Sequence, residues 1–206
     1  MISHKYQCIF VHIPRIAGTS LEFWICGENW WKIEKETKHL IASQAKEKYR
    51  EYWDDYLKFS FVRNPWDRMV SCRKFDTFYG VYFRRCWRTF YAKRMSFRDY
   101  RRLFGPEIVL EHDHRFYRRE DLLSDHHLPG QVYGNILDEP LDFIGRFENF
   151  DEDCRKLQKI LGIPEEMNVH AVKSERKAYH EYYHPSTREE VGRLYANDIK
   201  RFGYQF

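Results

Sequence analysis

The chain has 206 residues, of which 43% are hydrophobic and 32% charged, enough to bury a core and too apolar for an intrinsically disordered tract. A formal net charge of +4 is too mild to mark the whole chain as a polyanion binder, and no run approaches the ~20 apolar residues of a membrane-spanning helix. The five cysteines (Cys8, Cys26, Cys72, Cys86, Cys154) show no CxxC pair or metal-ligand spacing, which argues against a disulfide scaffold or a zinc site and fits a reduced, cytoplasmic compartment. Met1 leads almost at once into an apolar run, so no leader peptide is expected. With no repeat and no Gly/Ser-rich linker, the reading is of one domain over 1–206.

The first predicted element is a strand at about 6–13, centred on the apolar run Cys8-Ile9-Phe10-Val11. A loop carrying Pro14 and Arg15 leads to a helix beginning near Thr19. A polar helix over 41–53 precedes a second strand, Leu57 to Val62. That strand ends in "RNPWDR", and Pro65 sits at the favoured first position of a helix running through Val70. Ser96 and Asp99 have the spacing of a capping box for another helix. A third strand, Asp142 to Phe147, leads into a helix with Phe150, Cys154, Leu157 and Leu161 on one face, stopped by Gly162 and Pro164. A last helix is predicted from Ser186–Glu189, carrying Val191, Leu194, Tyr195 and Ile199. Strands alternating with helices predict an α/β fold with a parallel sheet, whose ligands bind beyond the carboxyl ends of the strands. Both unusual loops, 14–20 and 63–71, lie at such ends.

In the first loop, Gly18 permits close approach of the backbone to a ligand, Thr19 and Ser20 offer hydroxyls, and Arg15 offers a forked cation. A helix N-terminus adds unpaired N–H groups and partial positive charge, so the loop reads either as an anion cradle or as an ordinary turn and N-cap. A Walker A lysine is absent. In the second loop, Arg63 and Ser71 can meet on one ligand if the chain folds back over the cradle. Alternatively, Arg63 or Arg68 makes a structural pair with Asp67.

"HIPRIAGTS" followed by "FVRNPWDRMVS" resembles the paired cofactor signatures of sulfotransferases, most closely the carbohydrate type related to the heparan and chondroitin enzymes and their bacterial relatives. "DFIGRFENFDED" and "YANDIKRFGYQF" extend the resemblance to the C-terminus. It implies a P-loop-NTPase-like parallel sheet flanked by helices and the sulfuryl donor 3′-phosphoadenosine-5′-phosphosulfate (PAPS), which leaves as 3′-phosphoadenosine-5′-phosphate (PAP), with no metal. Arg15, Ile16, Ala17, Gly18, Thr19 and Ser20 then fall on the 5′-phosphosulfate loop, and Arg63 and Ser71 on the 3′-phosphate site. The family normally has lysine and threonine where this chain has Arg15 and Ile16. The charge that assists the leaving group is kept, in a bulkier, planar form.

Sulfuryl transfer to a hydroxyl requires in-line placement of the acceptor, removal of its proton and stabilisation of charge on the departing phosphate. Three residues are candidates for the base. His39 matches a histidine that precedes the second motif in related enzymes. His126, in "SDHHLPGQVYG", resembles an acceptor-site segment together with His127 and Gln131. Glu22 lies one turn into the first helix, where a glutamate also simply suits the helix dipole. By the same resemblance Ser174, Arg176 and Lys177 neighbour the nucleotide. Residues 83–102, rich in arginine and aromatics, suit an anionic glycan, nucleic-acid phosphates or a solvated helix face. The expected partner is a hydroxyl acceptor, a glycan or small molecule, rather than a membrane or nucleic acid. A non-catalytic nucleotide- or polyanion-binding module and a small-molecule P-loop kinase are the alternatives.

Overall fold

The computed structural model describes residues 1–71, 132–168 and 177–206. The helix expected near Ser96–Asp99, the 83–102 segment, and His126, His127, Gln131, Ser174 and Arg176 lie outside the described residues. The chain divides into two compact units: Met1–Arg63 with Tyr133–Glu175, and Asn64–Val132 with Arg176–Phe206.

The first unit is an α/β layer built on a four-stranded sheet, in the order β1 (Ile2–Ser3), β2 (Cys8–Phe10), β3 (Leu57–Val62), β4 (Phe143–Arg146). Strand β1 runs antiparallel to β2, while β2, β3 and β4 are mutually parallel. Strand β2 is buried throughout, as a continuous apolar run in a covered parallel sheet should be. Phe10 and Phe59, in register on β2 and β3, stack with ring centroids 4.9 Å apart. Each fully buried phenylalanine contributes roughly 1.5–3 kcal/mol. Ser60 is the buried polar residue on β3, and its hydroxyl donates to the Val11 carbonyl at 2.7 Å, so it is not stranded there.

Among its described residues the α-helices of this unit are α1 (Gly18–Cys26), α2 (Trp30–Ile33), α3 (Ala42–Lys48), α5 (Tyr133–Ile136) and α6 (Phe150–Leu161). Strand β3 and helix α6 occupy the predicted positions, and Gly162 ends α6 in the left-handed conformation expected of a C-cap. Other predictions need correction. The short first strand β1, which the sequence does not predict, carries no periodic signal. Helix α3 ends at Lys48 rather than at 53, and a series of turns fills the interval to β3.

The second unit is helical among its described residues: α4, which starts at Pro65 and is described to Ser71, α7 (Pro185–Leu194) and α8 (Ala196–Phe202). Trp66, Met69, Val191 and Tyr195 form its core, with Phe206 packed against them. The Trp66 indole donates to the Arg188 carbonyl at 3.0 Å. The final helix of the sequence reading is thus two helices that break at Tyr195. It begins at Pro185, where the His184 N–H donates to the Thr187 hydroxyl at 3.0 Å, and not at a Ser186–Glu189 box.

Candidate active site

Beyond β2 the chain stays buried through Val11, His12 and Ile13, then turns at Pro14 into the first loop. Arg15 and Ala17 adopt left-handed backbone conformations, with φ of 70° and 67°. Such a conformation costs a residue with a side chain about 1–3 kcal/mol, and it persists only where the surroundings impose it. Ile16 between them is fully buried. Left-handed residues of this kind build the concave nests of N–H groups that hold anions. The N-cap position of α1 is Ala17, whose methyl group cannot cap anything, and Thr19 and Ser20 lie within the first turn. The hydroxyls are therefore not the helix cap, and the plain N-cap reading of this loop fails on position. What remains is a helix start with its N–H groups uncapped by a side chain, partly exposed at Arg15, Ala17 and Thr19.

The end of β3 closes on the same loop. Arg63 is buried, its Nη1 donates to the Arg15 carbonyl at 2.9 Å, and its guanidinium lies 3.9 Å above the Phe147 ring. Its backbone is fixed as well: the Arg63 N–H donates to the Tyr133 hydroxyl at 3.1 Å, and that hydroxyl donates back to the Arg63 carbonyl at 2.6 Å. The loop after β2 and the end of β3 are thereby tied together. Ser71 is buried near the end of described α4, and Lys177 is exposed beside Glu181, with 3.4 Å between Nζ and Oε2; both belong to the second unit.

Under the loop lies a cluster the sequence reading only half saw. Glu22, on α1, is fully buried; one carboxylate oxygen receives His12 Nδ1 at 2.6 Å, and the other accepts the Lys38 ammonium and the Trp30 N–H. Lys38 also donates to the Asn29 side chain at 2.9 Å. Burial pushes the Glu22 carboxyl up, but the bonds from His12 and Lys38 outweigh it and hold the group down to about 2. Burial also pushes the His12 imidazole and the Lys38 ammonium below their usual values, against the pull of Glu22. Glu22 is thus an ionised, triply bonded carboxylate. As a base candidate it is already occupied as an acceptor by three donors.

His39 stands at the edge of this cluster. Its ring is 4.7 Å from that of His12 and meets Trp31 edge-on at 5.6 Å. His39 Nδ1 lies 3.2 Å from the His12 carbonyl. A carbonyl only accepts, so Nδ1 carries the proton, and in the neutral ring the lone pair then lies on Nε2. Nothing local in the sequence marks His12 and Lys38: they sit 10 and 16 residues from Glu22, and only the fold brings them together.

Beside the parallel-dominated sheet, the chain thus brings together a left-handed turn, a helix start without a side-chain cap and the guanidinium of Arg63. The comparison with known families assigns the chain. The chain matches the model of the sulfotransferase family over residues 1–205, and it belongs to that family. It is 27% identical to carbohydrate sulfotransferase 14 of Danio rerio over 223 residues, covering 93% of this chain and 54% of that protein. The chain thus spans about half the length of that relative. It is also 30% identical, over 120 residues, to an uncharacterized protein of Archaeoglobus fulgidus, covering 58% of this chain and 79% of that one. No solved structure matches it. Among the described residues no helix is long and apolar enough to cross a membrane. Family membership supports a sulfotransferase enzyme, and it supports sulfuryl transfer as the chemistry of this fold.

Proposed function

We propose that this domain transfers the sulfuryl group of PAPS to a hydroxyl of a carbohydrate. The observation that carries the reading is the bond from Arg63 to the Arg15 carbonyl, which joins the two loops whose residues match the paired donor signatures. The residues present fit such a donor: a left-handed turn and uncapped helix start for the 5′ anionic groups, and a fixed guanidinium for the 3′-phosphate. By resemblance Ser71 shares that phosphate assignment. The name of the Danio rerio relative supports a carbohydrate acceptor, and the family match over 1–205 supports a single functional domain.

The donor supplies an activated sulfuryl group on a phosphate leaving group. The chain's own residues then have separate tasks. N–H groups of the loop, Thr19 and Ser20 hold the anion, and Arg15 opposes the charge that develops as the phosphate departs. His39, with its lone pair on Nε2, takes the acceptor's proton. The test is incubation with sulfur-35-labelled PAPS and a panel of unsulfated polysaccharides. Label on a polysaccharide is the expected result; none on any of them would contradict the carbohydrate reading.

Two substitutions check the assignment. Arg63→Ala removes a charged partner from a bound phosphate, which should cost ~1.5–3 kcal/mol, or about 10- to 150-fold in PAP affinity. Calorimetry showing wild-type affinity would remove Arg63 from the site. Arg15→Ala should lower kcat more than it weakens PAP, because its charge is needed most in the transition state. Arg15→Lys should retain activity, since a compact cation answers the same developing charge; a lysine variant as inactive as alanine would contradict the role.

A further inference from the structure

We propose that His12 is a positioning residue of the donor loop: clamped by Glu22, its imidazole is the wall against which Gly18 sets the start of α1. This rests on the reading of that loop as the donor site. Gly18 does not have the positive φ that favours glycine, so backbone freedom does not explain it. Space does. A Cβ built on Gly18 would fall onto His12 Nε2 and Cδ2 and lie 2.8 Å from Cε1, closer than real Cβ atoms approach anything. A flexible side chain would swing aside. This imidazole has nowhere to go, because Nδ1 is bonded to Glu22 at 2.6 Å, Glu22 is held in turn by Lys38 and the Trp30 N–H, and the ring stacks on Phe10 at 5.3 Å.

The arrangement follows from helical spacing. Gly18 and Glu22 are four residues apart, on the same face of α1, so both meet the same partner. Glu22 grips the ring while Gly18 rests on it, and His12 thereby fixes the height and rotation of the first turn that carries Thr19 and Ser20. Glycine at this position is therefore required by the protein's own imidazole, in addition to any need of the ligand for close approach.

The test is a size-exchange cycle comparing wild type, Gly18→Ala, His12→Ala and the double variant, with PAP titrated by calorimetry and unfolding midpoints measured in parallel. Gly18→Ala should weaken PAP by about tenfold or more, and His12→Ala by about tenfold. The double variant should recover at least about fivefold of the Gly18→Ala loss, because the removed ring makes room for the methyl group; contacting residues couple on this scale. If Gly18→Ala fails to fold, recovery of folding in the double variant reads the same contact, and His12→Ala alone still reads its consequence for PAP. A double variant that binds no better than a folded Gly18→Ala, or His12→Ala with wild-type affinity, overturns the proposal. Wild-type protein that ignores PAP overturns the donor reading itself, while the unfolding midpoints still report the His12–Gly18 contact.

Discussion

His39→Ala is expected to reduce turnover by about 10²–10⁴-fold, the range a positioned general base contributes, while PAP affinity stays within about twofold of wild type. The expectation comes from the ring's tautomer and its place. Nδ1–H is committed to the His12 carbonyl at 3.2 Å, which leaves the lone pair on Nε2, and the ring packs beside His12 without being part of the anion loop. Loss of the base should therefore appear in kcat and not in donor binding. Glu22 makes the useful contrast. Its carboxylate already accepts from His12, Lys38 and Trp30 and is kept ionised far below neutrality, so its removal should damage the fold and the loop together. His126 is tested alongside as His126→Ala. Near-normal turnover in His39→Ala, with His126→Ala inactive but still binding PAP, would move the base to His126.

Glu22→Ala is expected to destabilise the protein by about 3–5 kcal/mol, the usual cost of leaving a buried charge without its partner. Lys38 is 2% exposed and would keep only the Asn29 side chain as an acceptor. Chemical denaturation should show the midpoint falling steeply with little change in slope. The same carboxylate sets an acid limit. Its folded value, about 2, lies below the ordinary 4.5, so its contribution is complete above about pH 4.5 and is lost as the pH falls towards 2. His12, lowered by burial, adds in the same direction: it is neutral in the fold, and acid favours the unfolded state in which it charges freely. Wild-type stability should thus drop on acidification from below about pH 6.5, and Glu22→Gln should flatten the part of that drop below pH 4.5. An identical acid profile in Glu22→Gln would show that the carboxylate does not carry it.

Much of the fold was written locally. Leu57–Val62 is a short, largely apolar run bounded by polar turns, and the helix from Phe150 to Leu161 has its apolar face, an acidic first turn and a glycine stop in the sequence itself. Where the sequence misled, tertiary contacts decided. The Tyr195 break is invisible in a continuous apolar face, because that residue serves as the end of α7 and the start of α8. Ile2 and Ser3 are too few to carry a period and form a strand only because β2 is there to pair with. In the site, "HIPRIAGTS" marked the loop, but not the left-handed turns at Arg15 and Ala17, which flank a buried Ile16. Glu22 stood out as a lone carboxylate; its meaning depends on His12 and Lys38, which reach it from a strand end and from a turn.

The most direct test of the account is calorimetric titration of the wild-type domain with PAP and, separately, with adenosine 5′-phosphate. The two ligands differ only in the 3′-phosphate assigned to Arg63, a charge-assisted partner worth about 1.5–3 kcal/mol. PAP should bind about tenfold or more tighter than adenosine 5′-phosphate, and the difference should shrink severalfold in Arg63→Ala. Equal affinity of the wild type for the two nucleotides, or no binding of PAP at all, would contradict the account.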